Sequence, residues 1–143
     1  MMKILILNGP NLNIIEKRDK NKYGSLSLNE INSSLKKTFP DVIFSFIQSN
    51  SEDELIDHIQ NCDDYDGLII NPGGLTHSSV GLRDALEILK IPKIEVHLSN
   101  LASREEFRKS MITTSKVTGY ISGFKEIGYF SAVYTLTHLV SKK

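Results

Sequence analysis

Three apolar runs of this chain each break into polar, reactive residues: Ile4 to Leu7 into Asn8-Gly9-Pro10-Asn11, Leu68 to Ile70 into Asn71-Pro72-Gly73-Gly74-Leu75-Thr76-His77, and Ile94 to Val96 into His97-Leu98-Ser99-Asn100. Imidazole, carboxamide and hydroxyl groups are the usual agents of proton transfer and of holding developing charge. Glu95 and His97 stand two apart, and the period of a strand puts both side chains on one face. There the carboxylate could orient the imidazole and favour its protonated form, as a general acid requires; spacing alone leaves an incidental pair equally open. His77 and His97 each follow a strand end and can meet, whereas His58 and His138 fall in helical stretches. With no H-E-x-x-H or other paired-histidine spacing, no metal site is expected. The single cysteine, Cys62, has no internal disulfide partner and reads as a small, partly buried residue near a helix end.

Such clusters cooperate only if the fold brings them together. A parallel sheet does so, because it gathers the carboxyl ends of its strands along one edge. Strand-like runs at Ile4–Leu7, Val42–Ile47, Leu68–Ile70, Ile94–Val96 and Val117–Phe124 alternate with segments of helical period. Leu28, Ile31, Leu35 and Phe39 follow a capping box of Ser27 and Glu30. Ser51 and Glu54 start a second helix in the same way, bearing Leu55, Ile56, Ile59 and Cys62. Leu82, Ala85, Leu86 and Leu89 mark a third, Ser103 with Glu106 opens a short fourth, and Tyr129, Val133, Leu136 and Val140 mark the last. Five strands and five helices predict an α/β, flavodoxin-like three-layer sandwich around a five-stranded parallel sheet.

The segment from Ile14 to Ser25 is polar, charged and aperiodic, and reads as a long loop. Loops of that length in compact domains are usually lids or disordered. Lys17, Arg18, Lys20 and Lys22 outnumber Glu16 and Asp19, so it carries positive charge toward the crevice mouth. A flavodoxin-like sheet also admits a flavin- or nucleotide-binding module, but Gly73-Gly74 lacks the G-x-G-x-x-G spacing and no G-x-x-x-x-G-K-[ST] occurs.

The 143 residues, 40% of them hydrophobic, suffice for one domain spanning 1–143 and exclude an eight-fold β/α barrel. A formal net charge of zero gives no reason to expect nucleic acid or an anionic membrane as partner. The amino terminus has only a four-residue apolar run after Lys3, and no stretch approaches the roughly 18 residues of a membrane span. A cytoplasmic enzyme acting on a small molecule is the expectation.

The runs NGPNLN at Asn8–Asn13, INPGGLTHSSVGLRDA at Ile70–Ala85, IEVHLSN at Ile94–Asn100 and REEFR at Arg104–Arg108 resemble type II 3-dehydroquinate dehydratase. The motifs are long, correctly ordered and cover nearly the whole chain. The resemblance implies a lyase that dehydrates 3-dehydroquinate reversibly to 3-dehydroshikimate through an enolate, in aromatic amino acid biosynthesis, without a cofactor, as a homododecamer of four trimers. By that resemblance Tyr23 is the base that removes a C2 proton, with the lid arginine Arg18 beside it, and His97, partnered by Glu95, is the acid that protonates the departing C1 hydroxyl. Asn11 and Asn71 hold a water or the enolate oxygen, and His77, Asp84, Leu98, Ser99 and Arg108 bind the substrate hydroxyls and carboxylate. In the lid, Glu16-Lys17-Arg18-Asp19-Lys20 stands where the family commonly has Gly-Thr-Arg-Glu-Pro. A tyrosine ordinarily titrates near pH 10, so such a base needs a cation. An arginine about 4 Å away supplies on the order of 4 kcal/mol at an effective dielectric near 20.

Overall fold

In the computed structural model, which describes residues 1–141, the apolar runs form five parallel strands. These are β1 (Met2–Asn8), β2 (Val42–Gln48), β3 (Gly67–Asn71), β4 (Lys93–His97) and β5 (Gly119–Ser122). The last two positions of the expected 1–143 domain lie outside the described residues. The strand order is β2-β1-β3-β4-β5, the flavodoxin-like order, whose binding crevice forms where successive connections leave in opposite directions. Here that point is the carboxyl edge of β1 and β3, and the register sets Asn8 directly beside Asn71.

The two-residue period of the strands divides the interior into two cores. Ile4, Ile6, Ile69, Ile94 and Val96 point to one face and pack with Leu28, Ile31 and Leu35 of α2 (Leu28–Thr38) and Tyr129, Val133 and Leu136 of α5 (Ile127–Ser141). Leu5, Leu7, Leu68 and Ile70 point to the other and pack with Leu55 and Ile59 of α3 (Glu52–Gln60) and Leu82, Ala85 and Leu86 of α4 (Val80–Ile88). Because both faces are covered, the central strands are unbroken apolar runs rather than alternating ones. Cys62 lies just past α3 at 1% exposure, and burial first, then the charges of Asp63 and Asp64, push its thiol up to about 11.

Several expectations need correction. Ser27 and Glu30 form the full capping box of α2, but Ser51 makes no cap bond to α3; its hydroxyl turns to Asp53, and Glu54 accepts from Ser49 instead. The short helix expected from Ser103 is replaced by two 3-10 turns, Leu101–Ser103 and Glu106–Lys109, separated by extended backbone at Arg104. The fifth strand contracts from Val117–Phe124 to Gly119–Ser122, because Val117 tucks against the second core while Phe124 stands 64% exposed.

The expected loop from Ile14 to Ser25 is the largest correction, because most of it is folded. A 3-10 run over Leu12–Lys17 buries Leu12 and Ile15, whose three-residue spacing puts both on one side of a three-per-turn helix. Asp19 then caps the short helix α1 (Lys20–Tyr23), its carboxylate accepting from Asn21 N at 2.9 Å. Lys20, where the family commonly has proline, is the first helical residue, a position that tolerates proline because its N–H is unpaired in any case. The substitution therefore leaves the start of α1 intact. Gly24 ends the helix at φ +85°, where an added Cβ would also meet the Glu126 carboxylate.

Candidate active site

The floor of the crevice is set by the β1 and β3 ends. Gly9 N donates to Asn71 O at 2.8 Å, and a Cβ on Gly9 would stand 2.5 Å from the Pro72 carbonyl oxygen, so only glycine allows the two loops to approach this closely. The Asn71 amide is fixed on both sides: its oxygen accepts from Gly73 N at 3.0 Å and its nitrogen donates to Tyr129 Oη at 3.1 Å. Tyr129, fully buried in α5, donates a hydrogen bond through its own hydroxyl to Asn8 Oδ1. Burial holds that phenol well above the usual tyrosine range, so it acts as a neutral strut. Asn11 stands at the lip at φ 71°, a left-handed conformation asparagine tolerates, with its N–H held by Asn50 Oδ1 at 3.0 Å.

From β4 come Glu95 and His97, both buried, at 0% and 4% exposure. His97 Nε2 lies 2.6 Å from Glu95 Oε2. A carboxylate with no water around it resists ionisation, and burial does push the Glu95 carboxyl up; the His97 bond and charge, with the Thr114 and Thr113 hydroxyls, outweigh that and leave it below the ordinary range. With Nε2 turned to Glu95, Nδ1 is the nitrogen left to face a ligand.

The lid supplies the opposite wall. Tyr23 is 8% exposed, and both Arg18 Nη2 and Arg104 Nη1 donate to its phenol oxygen. The Arg18 guanidinium also lies over the ring, 3.9 Å from its centroid, and Arg104 anchors to Ser99 Oγ at 3.0 Å. Tyr23 and Arg18 line the same crevice as Asn11, Asn71, His77, His97, Leu98, Ser99, Arg104 and Arg108. The space left between them is about 110 Å³, against roughly 300–1,000 Å³ for an ordinary small-molecule cleft. The lid is shut.

His77 Nδ1 donates to the Ser110 carbonyl at 2.8 Å, which leaves Nε2 as an acceptor. Burial, opposed by that bond and assisted by the Arg108 charge, lowers its affinity for a second proton. Arg108 is held at Nε by Glu105 Oε2 at 3.1 Å. Of the expected site residues, two do not line this crevice: Glu95 is buried against His97, and Asp84 sits on α4 with its side chain 57% exposed, paired with Arg83 at 2.7 Å. Sequence reasoning passed over Arg104, although it opens the REEFR run, and over the threonines around Glu95 and the strut Tyr129. Only the four-residue spacing from Arg108 hinted at the first; Tyr129 lies 58 residues from Asn71 and left no local signal.

A family model described as dehydroquinase class II matches residues 2–137. A 3-dehydroquinate dehydratase of Thermotoga petrophila is 47% identical over 134 residues, covering 92% of each chain. One of Fusobacterium nucleatum is 41% identical over 148 aligned positions, covering 99% of this chain and all of its own. Among solved structures, the type II dehydroquinase of Butyrivibrio crossotus superposes with a TM-score of 0.92 at 40% identity, over 95% of this chain and 97% of the other.

Proposed function

The chain belongs to the class II dehydroquinase family, and we propose that it forms one catalytic domain in which Tyr23 and His97 divide a trans elimination between them. The activity is the dehydration of 3-dehydroquinate to 3-dehydroshikimate, a hydro-lyase step of the shikimate pathway; a flavin- or nucleotide-binding module is not favoured. The reading of the mechanism rests on one observation above all: a buried lid tyrosine is gripped at its oxygen by two guanidinium groups, in the same crevice as a carboxylate-backed histidine.

The ketone at C3 makes the C2–H bond acidic. Arg18 and Arg104 both donate to the Tyr23 oxygen, so the base that takes the C2 proton has two cations beside its reacting atom. The electron pair moves into the carbonyl as an enolate, whose oxygen is held through Asn11 and Asn71. As the enolate collapses, the C1–O bond breaks, and His97 gives its Nδ1 proton to the departing hydroxyl, releasing water and leaving a conjugated enone. His77, Leu98, Ser99 and Arg108 position the substrate hydroxyls and carboxylate, Arg108 as the charge partner of the latter. No cofactor is needed. Tyr23→Phe should lower kcat by about 10² to 10⁴, the usual worth of a general base, with the assembly unchanged. A variant that keeps more than about a tenth of wild-type kcat would place the base elsewhere.

Asp84 can serve a substrate only from a neighbouring copy, which supports an oligomer. On α4, Val80, Asp84 and Ile88 recur every four residues, and the two apolar members are 56% and 73% exposed. An apolar groove of about 530 Å³, walled by Leu101, Met111, Tyr120 and Phe124 with Arg108 and Lys109 at its polar side, adjoins the crevice. The two surfaces differ, so joining them is heterologous, which gives a ring where the rotation closes; the family resemblance makes that ring a trimer and four trimers a dodecamer. Val80→Glu should reduce the mass measured by light scattering and weaken substrate binding together. A cytoplasmic location is part of the same reading, and no described helix is long and apolar enough to cross a membrane.

A further inference from the structure

We propose that Thr76, Thr113 and Thr114 are positioning residues for the general acid, their hydroxyls holding the buried Glu95 as a carboxylate so that the proton of the Glu95–His97 pair stays on the histidine. The inference rests on the assignment of His97 as the acid. A carboxylate cut off from water keeps its charge only if protein donors replace the lost hydration. Glu95 has no exposed surface, and the replacements are specific: Thr113 donates to Oε1 at 2.7 Å, while Thr76 at 3.0 Å and Thr114 donate to Oε2, the oxygen that also meets His97. Thr76 and Thr113 are themselves fully buried, so neither hydroxyl can turn to solvent.

The hydroxyls are aimed by two 3-10 turns, Gly73–His77 after β3 and Thr113–Lys116 before β5. Ile112 N donates to the Thr76 carbonyl at 2.8 Å and locks the turns together. A protonated Glu95 would point its proton at His97 Nε2 and leave three hydroxyls donating to a neutral carboxyl, a weaker acceptor than a carboxylate, so the surroundings favour the ionised form. This selection matters for the chemistry. Since His97 Nε2 already faces the carboxylate, its Nδ1 is strongly acidic only when the ring carries both protons. The other ionisable groups lining the crevice are His77 from the turn after β3, Arg104 and Arg108 from the segment after β4, and Arg18 and Tyr23 from the lid. Among the described residues, the hydrogen-bond partners of the Glu95 carboxylate are His97 and the three threonines.

The test compares Thr114→Val, Thr113→Val, Thr114→Ser and Glu95→Gln in the intact enzyme. Thr114 is partly exposed, so its valine variant retains a foldable core. Hydrogen bonds to charged groups set the scale, about a tenfold loss of kcat for either valine, with KM within about twofold. In histidine-labelled protein at pH 7, the His97 ¹⁵N signals should move from two protonated nitrogens toward one, and Thr114→Ser should restore both signals and rate. Unchanged rate and ¹⁵N signals in both valine variants, with Glu95→Gln crippled, would overturn the role of the threonines and leave the acid assignment standing. A serine variant as impaired as the valine would equally sink it. A fully active Glu95→Gln would instead remove the reading of the pair itself.

Discussion

Tyr23, the proposed base, has two guanidinium groups meeting at its phenol oxygen. Removing either should therefore act on the chemical step. We expect Arg18→Gln and Arg104→Gln each to lower kcat by about 10- to 100-fold, the scale of a lost hydrogen bond to a charged group. Arg108→Gln, by contrast, should chiefly raise KM, since Arg108 lines the crevice without a hydrogen bond to the phenol, its Nε donating to Glu105 instead. Steady-state kinetics on the three variants check this, and a pure KM effect from Arg18→Gln would make it only a substrate contact. Arg18 could be named from its place five residues before Tyr23 in a recognisable lid. Arg104 is 81 residues away, and its bond to the phenol oxygen exists only once β4 and the lid are folded together. Single-residue chemistry is legible in sequence when its partner is a neighbour, as for Glu95 with His97, and hidden when the partner arrives through the fold.

Elements follow the same rule. The central strands could be read because their apolar runs are unbroken and their ends abrupt, and α2 because its capping box and its buried stripe agree. The lid could not, since α1 is a single turn whose order comes from Asp19 at its start, Gly24 at its end, and the anchors Leu12 and Ile15 before it. Its weak point is the cap. Asp19→Ala should cost about 0.5–2 kcal/mol of α1 stability, and because α1 frays locally rather than with the core, global unfolding in urea should be nearly unchanged. The expected signature is faster hydrogen exchange at Asn21 to Tyr23 together with a lower kcat. A fall in the global urea midpoint with protected lid amides would show that α1 is part of the core unit instead.

At the scale of the whole molecule, the buried Glu95 of the proposed acid pair bears on acid stability. Its carboxyl titrates below the ordinary value of about 4.3. It therefore contributes stability that is fully present above the unfolded-state value and lost as pH falls through the folded one. Glu95→Gln should flatten the dependence of the urea midpoint on pH below about 4, and an unaltered slope would mean that other carboxylates govern acid unfolding. Two lysines lie at the strand entrances, opposite the reacting edge: Lys3 pairs with Asp64 at 3.3 Å and Lys93 donates to the Leu89 carbonyl. Borohydride added with substrate should leave no reduced lysine adduct detectable by mass spectrometry, because no lysine lines the described crevice to form an imine.

The placement of Cys62 has a practical consequence of its own. Its thiol is sealed in the core behind α3 and resists ionisation, so it should stay silent toward maleimides at neutral pH. For site-directed labelling the native chain thus behaves as though it were cysteine-free. Asn21→Cys, on the exposed outer side of α1, would carry a single fluorophore whose emission reports opening and closing of the lid in real time. The unaltered protein serves as the blank, and any dye taken up by it would reveal that the core behind α3 breathes.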